Sequence, residues 1–218
     1  MKDRYRIIGP LYDWLATIFS GNEIDRCKTA MHDRIRPGDK ILFAGVGHGI
    51  DALQAGEMGA DVTVVDLSET MLKKFREGLG KRYISGSIRQ IHSDILDVEE
   101  FSQYDMVFAN FFLNVFSEAK MAQVLEHLSK LAKPDGCLVV GDFSLPGGTM
   151  AQQLFQKVYW YIADLLFWAA AKNALHRIYD YPAHLERLGL NIKSVKRFTY
   201  LKQNCYWSIL AAKKSESY

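Results

Sequence analysis

What the sequence has little of bounds it before any motif is read. Its three cysteines, Cys27, Cys137 and Cys205, form no C-x-x-C pair. An odd count at such wide spacing fits reduced thiols rather than a disulfide framework. The six histidines show no metal-ligand spacing, which argues against a structural zinc. A surplus of one charge is missing too: 27 Lys and Arg face 25 Asp and Glu. No field of the whole molecule would therefore draw in nucleic acid, and none is expected as a partner. The basic runs Lys81-Arg82 and Lys193 to Arg197 are broken by apolar residues and read as solvated faces. The opening "MKDRYRIIGPLYDWLATIF" meets charge and Pro10 before any long apolar run develops. It reads as neither a signal peptide nor a membrane span, and a cytoplasmic location is expected. Repeats, low-complexity stretches and linker-like shifts are absent, and the 218 residues suit one domain.

What is present is an alternation of two periods. Short apolar runs rich in β-branched and aromatic residues predict strands at Lys40–Ala44, Val62–Asp66, Ile88–His92, Asp105–Ala109 and Cys137–Phe143. Helical spacing lies between them, clearest in Glu69–Leu79 and Ser117–Leu131, where Met121, Val124, Leu125, Leu128 and Leu131 form one stripe. Pro134 and Asp135-Gly136 stop the second helix. Strands alternating with helices imply a parallel sheet covered on both faces. After a long apolar segment from Thr149 to about His176 and a short helix near Pro182–Leu188, two further runs follow, Ile192–Phe198 and Tyr206–Ala212. The short "YLKQN" between them predicts a hairpin, and hence an antiparallel strand at the end of the sheet.

The first strand leads into "GVGHGIDAL". Gly45, Gly47 and Gly49 permit a tight turn and close approach of backbone to a ligand at a helix N-terminus. A plain glycine turn is an alternative, and Gly47, Gly49 and Ala52 can be read as a dinucleotide fingerprint. Downstream residues add context. Asp66 ends the second strand, where a carboxylate can accept both hydroxyls of a ribose while Leu67 covers one face of an adenine. Asp66 can equally begin a turn, with Ser68 capping the next helix. Asp94 and Ile95, after the third strand, pair an acid with an apolar residue, which suits an adenine amino group and the other ring face; a solvated turn acid is the plainer reading. Asn110 stands at the tip of the fourth strand, where open α/β sheets bind ligands.

The ordered set G-x-G-x-G, D-L-S-x-x-M-L, S-D-I, Y-D-M-V-F-A-N-F-F-L and L-A-K-P-D-G, across residues 38–146, resembles the class I S-adenosylmethionine-dependent methyltransferases. The resemblance implies a Rossmann-like, doubly wound α/β fold with a seven-stranded sheet, mostly parallel with an antiparallel C-terminal strand. It implies S-adenosylmethionine as cofactor, with Gly45, Gly47 and Gly49 along its methionine moiety and Asp66 on the ribose. Leu67, Asp94 and Ile95 would frame adenine, and Asn110 would lie beneath the sulfonium. Phe43 departs from the family, which often carries Asp or Glu there to help hold the cofactor's ammonium group. Carbonyls near Gly45 or Asn110 could substitute, and His48 could lie near the carboxylate end. "GPLYDWLATIFSGN" and "GDFSLP" resemble segments of the ubiquinone/menaquinone biosynthesis C-methyltransferases.

The resemblance divides the chain into an N-terminal helical cap (1–37), a cofactor-binding core (38–146), an aromatic-rich helical lid (147–190) and a C-terminal hairpin (191–218). The third segment, "LFQKVYWYIADLLFWAAAKNALHRIYDYP", reads either as a core helix or as a lid whose apolar walls suit a small hydrophobic acceptor, quinone-like or lipid-like. Transient contact with a membrane surface is a secondary reading, since the helix lacks an ordered basic face. The sequence carries no signal for an oligomeric state. If transfer needs a general base, the candidates are His176, Tyr12, Asp142 and Tyr159, with His176 favoured as an imidazole that titrates near neutrality. Two competing functions are an NAD(P)-dependent oxidoreductase and a non-catalytic interaction protein on the same fold.

Overall fold

A computed structural model describes residues 22–171 and 178–213. Its strands are β1 (Lys40–Ala44), β2 (Asp61–Asp66), β3 (Ser87–His92), β4 (Tyr104–Asn110), β5 (Ala132–Phe143), β6 (Leu190–Tyr200) and β7 (Gln203–Lys213). They form one sheet in the order β3-β2-β1-β4-β5-β7-β6. Every pairing among β1 to β5 is parallel, and β7 runs antiparallel to both β5 and β6. β6 thus shares the direction of the first five, and β7 is the reversed strand. This is the seven-stranded, mostly parallel sheet that the sequence predicts.

The helices are α1 (Glu23–Lys28), α2 (Ile50–Glu57), α3 (Glu69–Leu79), α4 (Glu118–Leu131), α5 (Met150–Ala171) and α6 (Tyr181–Arg187). Ser68 caps α3, its Oγ accepting from Met71 N–H at 3.3 Å, and α3 buries Met71, Leu72 and Phe75. α4 buries the predicted stripe in full: Met121, Val124, Leu125, Leu128 and Leu131. Because side chains alternate across a strand, β1 feeds two cores at once. Leu42 and Ala44 join α4 and Tyr181 on one face; Ile41 and Phe43 join α3 and Phe108 on the other. A third cluster gathers Cys27, Phe143, Tyr159, Trp160, Cys205 and Tyr206.

The hairpin differs from expectation in length. β6 and β7 continue through most of "YLKQN", with Tyr200 paired to Gln203, leaving Leu201 and Lys202 as a two-residue turn. Both turn residues have positive φ, 47° and 62°, the geometry that matches the twist of the flanking strands. β5 also begins early, at Ala132, with its register on β4 shifting between Tyr104 and Met106; its continuous ladder, Cys137 to Gly141, lies within the predicted strand. Among the described residues no helix is long and apolar enough to cross a membrane.

Candidate active site

The chain runs outward through β1, β2 and β3, then returns past β1 to β4. That reversal opens a crevice at the carboxyl ends of β1 and β4, where α/β sheets bind ligands. The glycine loop forms its floor. Gly45, Gly47 and Gly49 have φ of 75°, 47° and 65°, the left-handed region that other residues adopt at a cost. Their surroundings differ. A Cβ on Gly45 would lie 2.5 Å from the Phe112 ring, and one on Gly49 2.2 Å from Phe75, so internal packing also demands glycine there. Gly47 is exposed, and the nearest atom to its absent Cβ is Lys28 Nζ at 4.0 Å.

Asp66 is fastened to this loop. One carboxylate oxygen accepts from Val46 N–H at 2.8 Å and the other from Ser68 N–H at 2.8 Å. Asp66 thus both orders the turn and stands at the crevice. Leu67 is 52% exposed beside it. Ser93 N–H donates to Asp66 O at 3.2 Å, tying the turn after β2 to the turn after β3. In that second turn Asp94 accepts from Leu96 N–H at 3.0 Å, the local turn role. Ile95 is buried in the core with Val65 and Leu113.

Asn110 lies at the tip of β4 and joins three elements. Its Nδ2 donates to Asp51 Oδ2 at 2.9 Å and to Lys28 O at 3.1 Å. Its Oδ1 is buried with no hydrogen-bond partner. A Cβ at Gly141 would approach that oxygen to 2.5 Å, so β5 must carry glycine opposite the Asn110 side chain. Asp51, in the first turn of α2, is 6% exposed. Sequence reasoning passed over Asp51 and Lys28; an acid in the first turn of the helix after a glycine loop was the available signal. Phe43 is buried and stacks on Phe108 at 4.7 Å, with the His32 ring set edge-on against both.

Beyond β4 and β5 the crevice gives way to aromatic side chains. Phe111, held at φ 50°, meets Phe143 and Tyr206 edge-on, and Trp160 packs on Phe143. The hydroxyls of Tyr159 and Tyr206 bond to each other. Burial pushes both phenols well above the usual tyrosine range, so they stay protonated at neutral pH and Tyr159 is a poor base. Asp142 is 1% exposed and accepts from Asn114 Nδ2, Phe143 N–H and Tyr181 OH, which commits it to holding β5 against α6. His176 and Tyr12 lie outside the described residues.

Residues 41–136, which carry the loop and both acids, match the methyltransferase domain family. The match covers less than half of the chain. A protein named demethylmenaquinone methyltransferase from Clavibacter sepedonicus is 28% identical to this chain over 144 residues, 64% of this chain and 56% of that protein. The chain thus spans little more than half the length of that relative. Among solved structures, a Burkholderia thailandensis 1,6-didemethyltoxoflavin-N1-methyltransferase with bound S-adenosylhomocysteine superposes with a TM-score of 0.65. It shares 18% identity and covers 88% of this chain and 79% of its own. Magnesium protoporphyrin IX methyltransferase from Synechocystis PCC 6803, with bound S-adenosylhomocysteine, gives 0.65 at 18% identity, covering 88% and 82%. The reversed β7 between β5 and β6 sets this sheet apart from the dinucleotide-binding order 3-2-1-4-5-6.

Proposed function

We propose that this chain transfers a methyl group from S-adenosylmethionine to a small hydrophobic acceptor, quinone-like or lipid-like. The observation that carries the cofactor half is the joining of Asp66 to the glycine loop through Val46 N–H, beside an Asn110 with an unpaired Oδ1. The residues fit the group: Asp66 sets a carboxylate at the crevice where ribose hydroxyls can be accepted, and the exposed Leu67 offers an apolar surface for a purine. Gly47 leaves the outer face of the loop open. When bound, S-adenosylmethionine supplies a methyl carbon on a good leaving group. The chain's own task is then to align the acceptor, exclude water and, for some acceptors, take a proton.

The acceptor class is supported by the name of the Clavibacter relative. In this reading the segment 147–190 serves as a lid and His176 as the proton acceptor. Titration calorimetry tests the first half: S-adenosylhomocysteine should bind and NADH should not. Transfer of label from S-adenosylmethionine to a reduced quinone, compared with a phospholipid, tests the second. His176→Ala should slow that transfer without weakening cofactor binding. Binding of NADH in place of S-adenosylhomocysteine would overturn the proposal, as would labelling of neither acceptor.

A further inference from the structure

Position 43 offers no charge to the crevice, yet two unpaired charges stand beside it. Asp51 is almost fully buried, and a buried carboxylate is costly unless a cation or several donors compensate it. Among the described residues it receives only the Asn110 Nδ2–H at 2.9 Å and the Ala52 N–H at 3.1 Å. His32 lies within electrostatic reach of it, and burial lowers the pKa of that imidazole, favouring its neutral form. Among the described residues Asp51 makes no ion pair within 4.0 Å. Lys28 makes none either; its ammonium lies over Gly47, on the open side of the loop. Asn110 couples the two, donating to the Asp51 carboxylate and to the Lys28 carbonyl while its own Oδ1 stays unsatisfied.

We propose that Asp51 and Lys28 read the two ends of an α-amino-acid zwitterion. Asp51 takes the ammonium, and Lys28 takes the carboxylate. The acid absent from β1 at Phe43 is thereby supplied from the first turn of α2. This inference rests on the proposed cofactor, whose α-amino-acid tail is the zwitterion in question, and it assigns that tail to residues of this chain.

The test compares two nucleosides that differ only in that tail: S-adenosylhomocysteine and 5′-methylthioadenosine. Binding is measured by titration calorimetry on the wild-type chain, Lys28→Met and Asp51→Asn. Each substitution should weaken S-adenosylhomocysteine by about tenfold or more, a loss of about 1.4 kcal/mol or more, and leave 5′-methylthioadenosine within about twofold. The second nucleoside doubles as a check that each variant is folded; if Asp51→Asn gives no soluble protein, the partly exposed Lys28 decides alone. Equal losses for both nucleosides, or unchanged S-adenosylhomocysteine affinity, would overturn the assignment while leaving the cofactor reading intact. A wild-type chain that binds neither nucleoside overturns both.

Discussion

His32 shows how one buried group ties stability to pH. Its Nε2 has no hydrogen-bond partner, its ring edges meet Phe43 and Phe108, and desolvation holds its pKa below 6.5 against the opposing pull of Asp51 and Asp33. Below about pH 6.5 the unfolded chain takes up a proton here that the folded chain resists. The stability it contributes is therefore complete above that value and is lost as pH falls toward the folded pKa. Urea midpoints should drop between about pH 7 and pH 5 in the wild type, and less steeply in His32→Phe; equal slopes would remove His32 from the account. Residue identity makes one carboxylate near the glycine loop legible: Asp66 stands 66 − 45 = 21 positions after Gly45. Its grip on Val46 N–H was not legible, because that bond needs β1 and β2 in parallel register, Lys40 beside Asp61. Lys28 was hidden for the same kind of reason. Its helix is docked by Cys27 Sγ donating to Trp207 O, a contact between residues 180 positions apart.

At the level of elements, legibility followed periodicity. α4 was read correctly because its apolar residues recur on one face. α5 is apolar nearly all round, so the sequence could not orient it. The structure buries Gln156, Tyr159 and Trp160 and exposes Leu154, Val158, Tyr161, Ile162 and Leu165. Gln156 can be buried because its Oε1 accepts from Gly147 N–H at 2.9 Å and its Nε2 donates to Gly147 O at 3.2 Å. The hairpin forms as expected within "YLKQN", but its turn is tighter than the sequence suggests because neither turn residue is a usual turn former. Leu201 and Lys202 both occupy the left-handed region, where an L side chain costs about 1–2 kcal/mol. Replacing the pair by Asn-Gly should stabilise the chain by about 1–2 kcal/mol, read as a raised urea midpoint at constant slope. No gain would mean that the side chains of Leu201 and Lys202 earn back the strain elsewhere.

Over the whole molecule the sheet order was predictable in outline, since five motifs in sequence imply five neighbouring parallel strands. The proposed division, with 38–146 as a cofactor core and 147–190 as a lid, makes ligand binding a question of global stability. A ligand that binds only the folded chain at about 100 times its Kd adds about 2.7 kcal/mol. For a chain of this size that is a rise of about 5–10 °C in Tm. Differential scanning fluorimetry with S-adenosylhomocysteine should show it, with NADH giving no shift; the reverse pattern would favour the dinucleotide reading.

The placing of β7 also bears on how the chain is assembled. β6 precedes β7 in sequence but reaches the sheet only through it, since β7 lies between β5 and β6. While the chain is being synthesised, the free edge of β5 must wait, its carbonyls and amides unpaired, through the whole of α5, α6 and β6. The strand that finally seals this edge also brings in Cys205 and Tyr206, so the buried aromatic cluster and the sheet are completed in one event. Translation speed through α5 and α6 thus sets how long an open β-edge is presented to other chains.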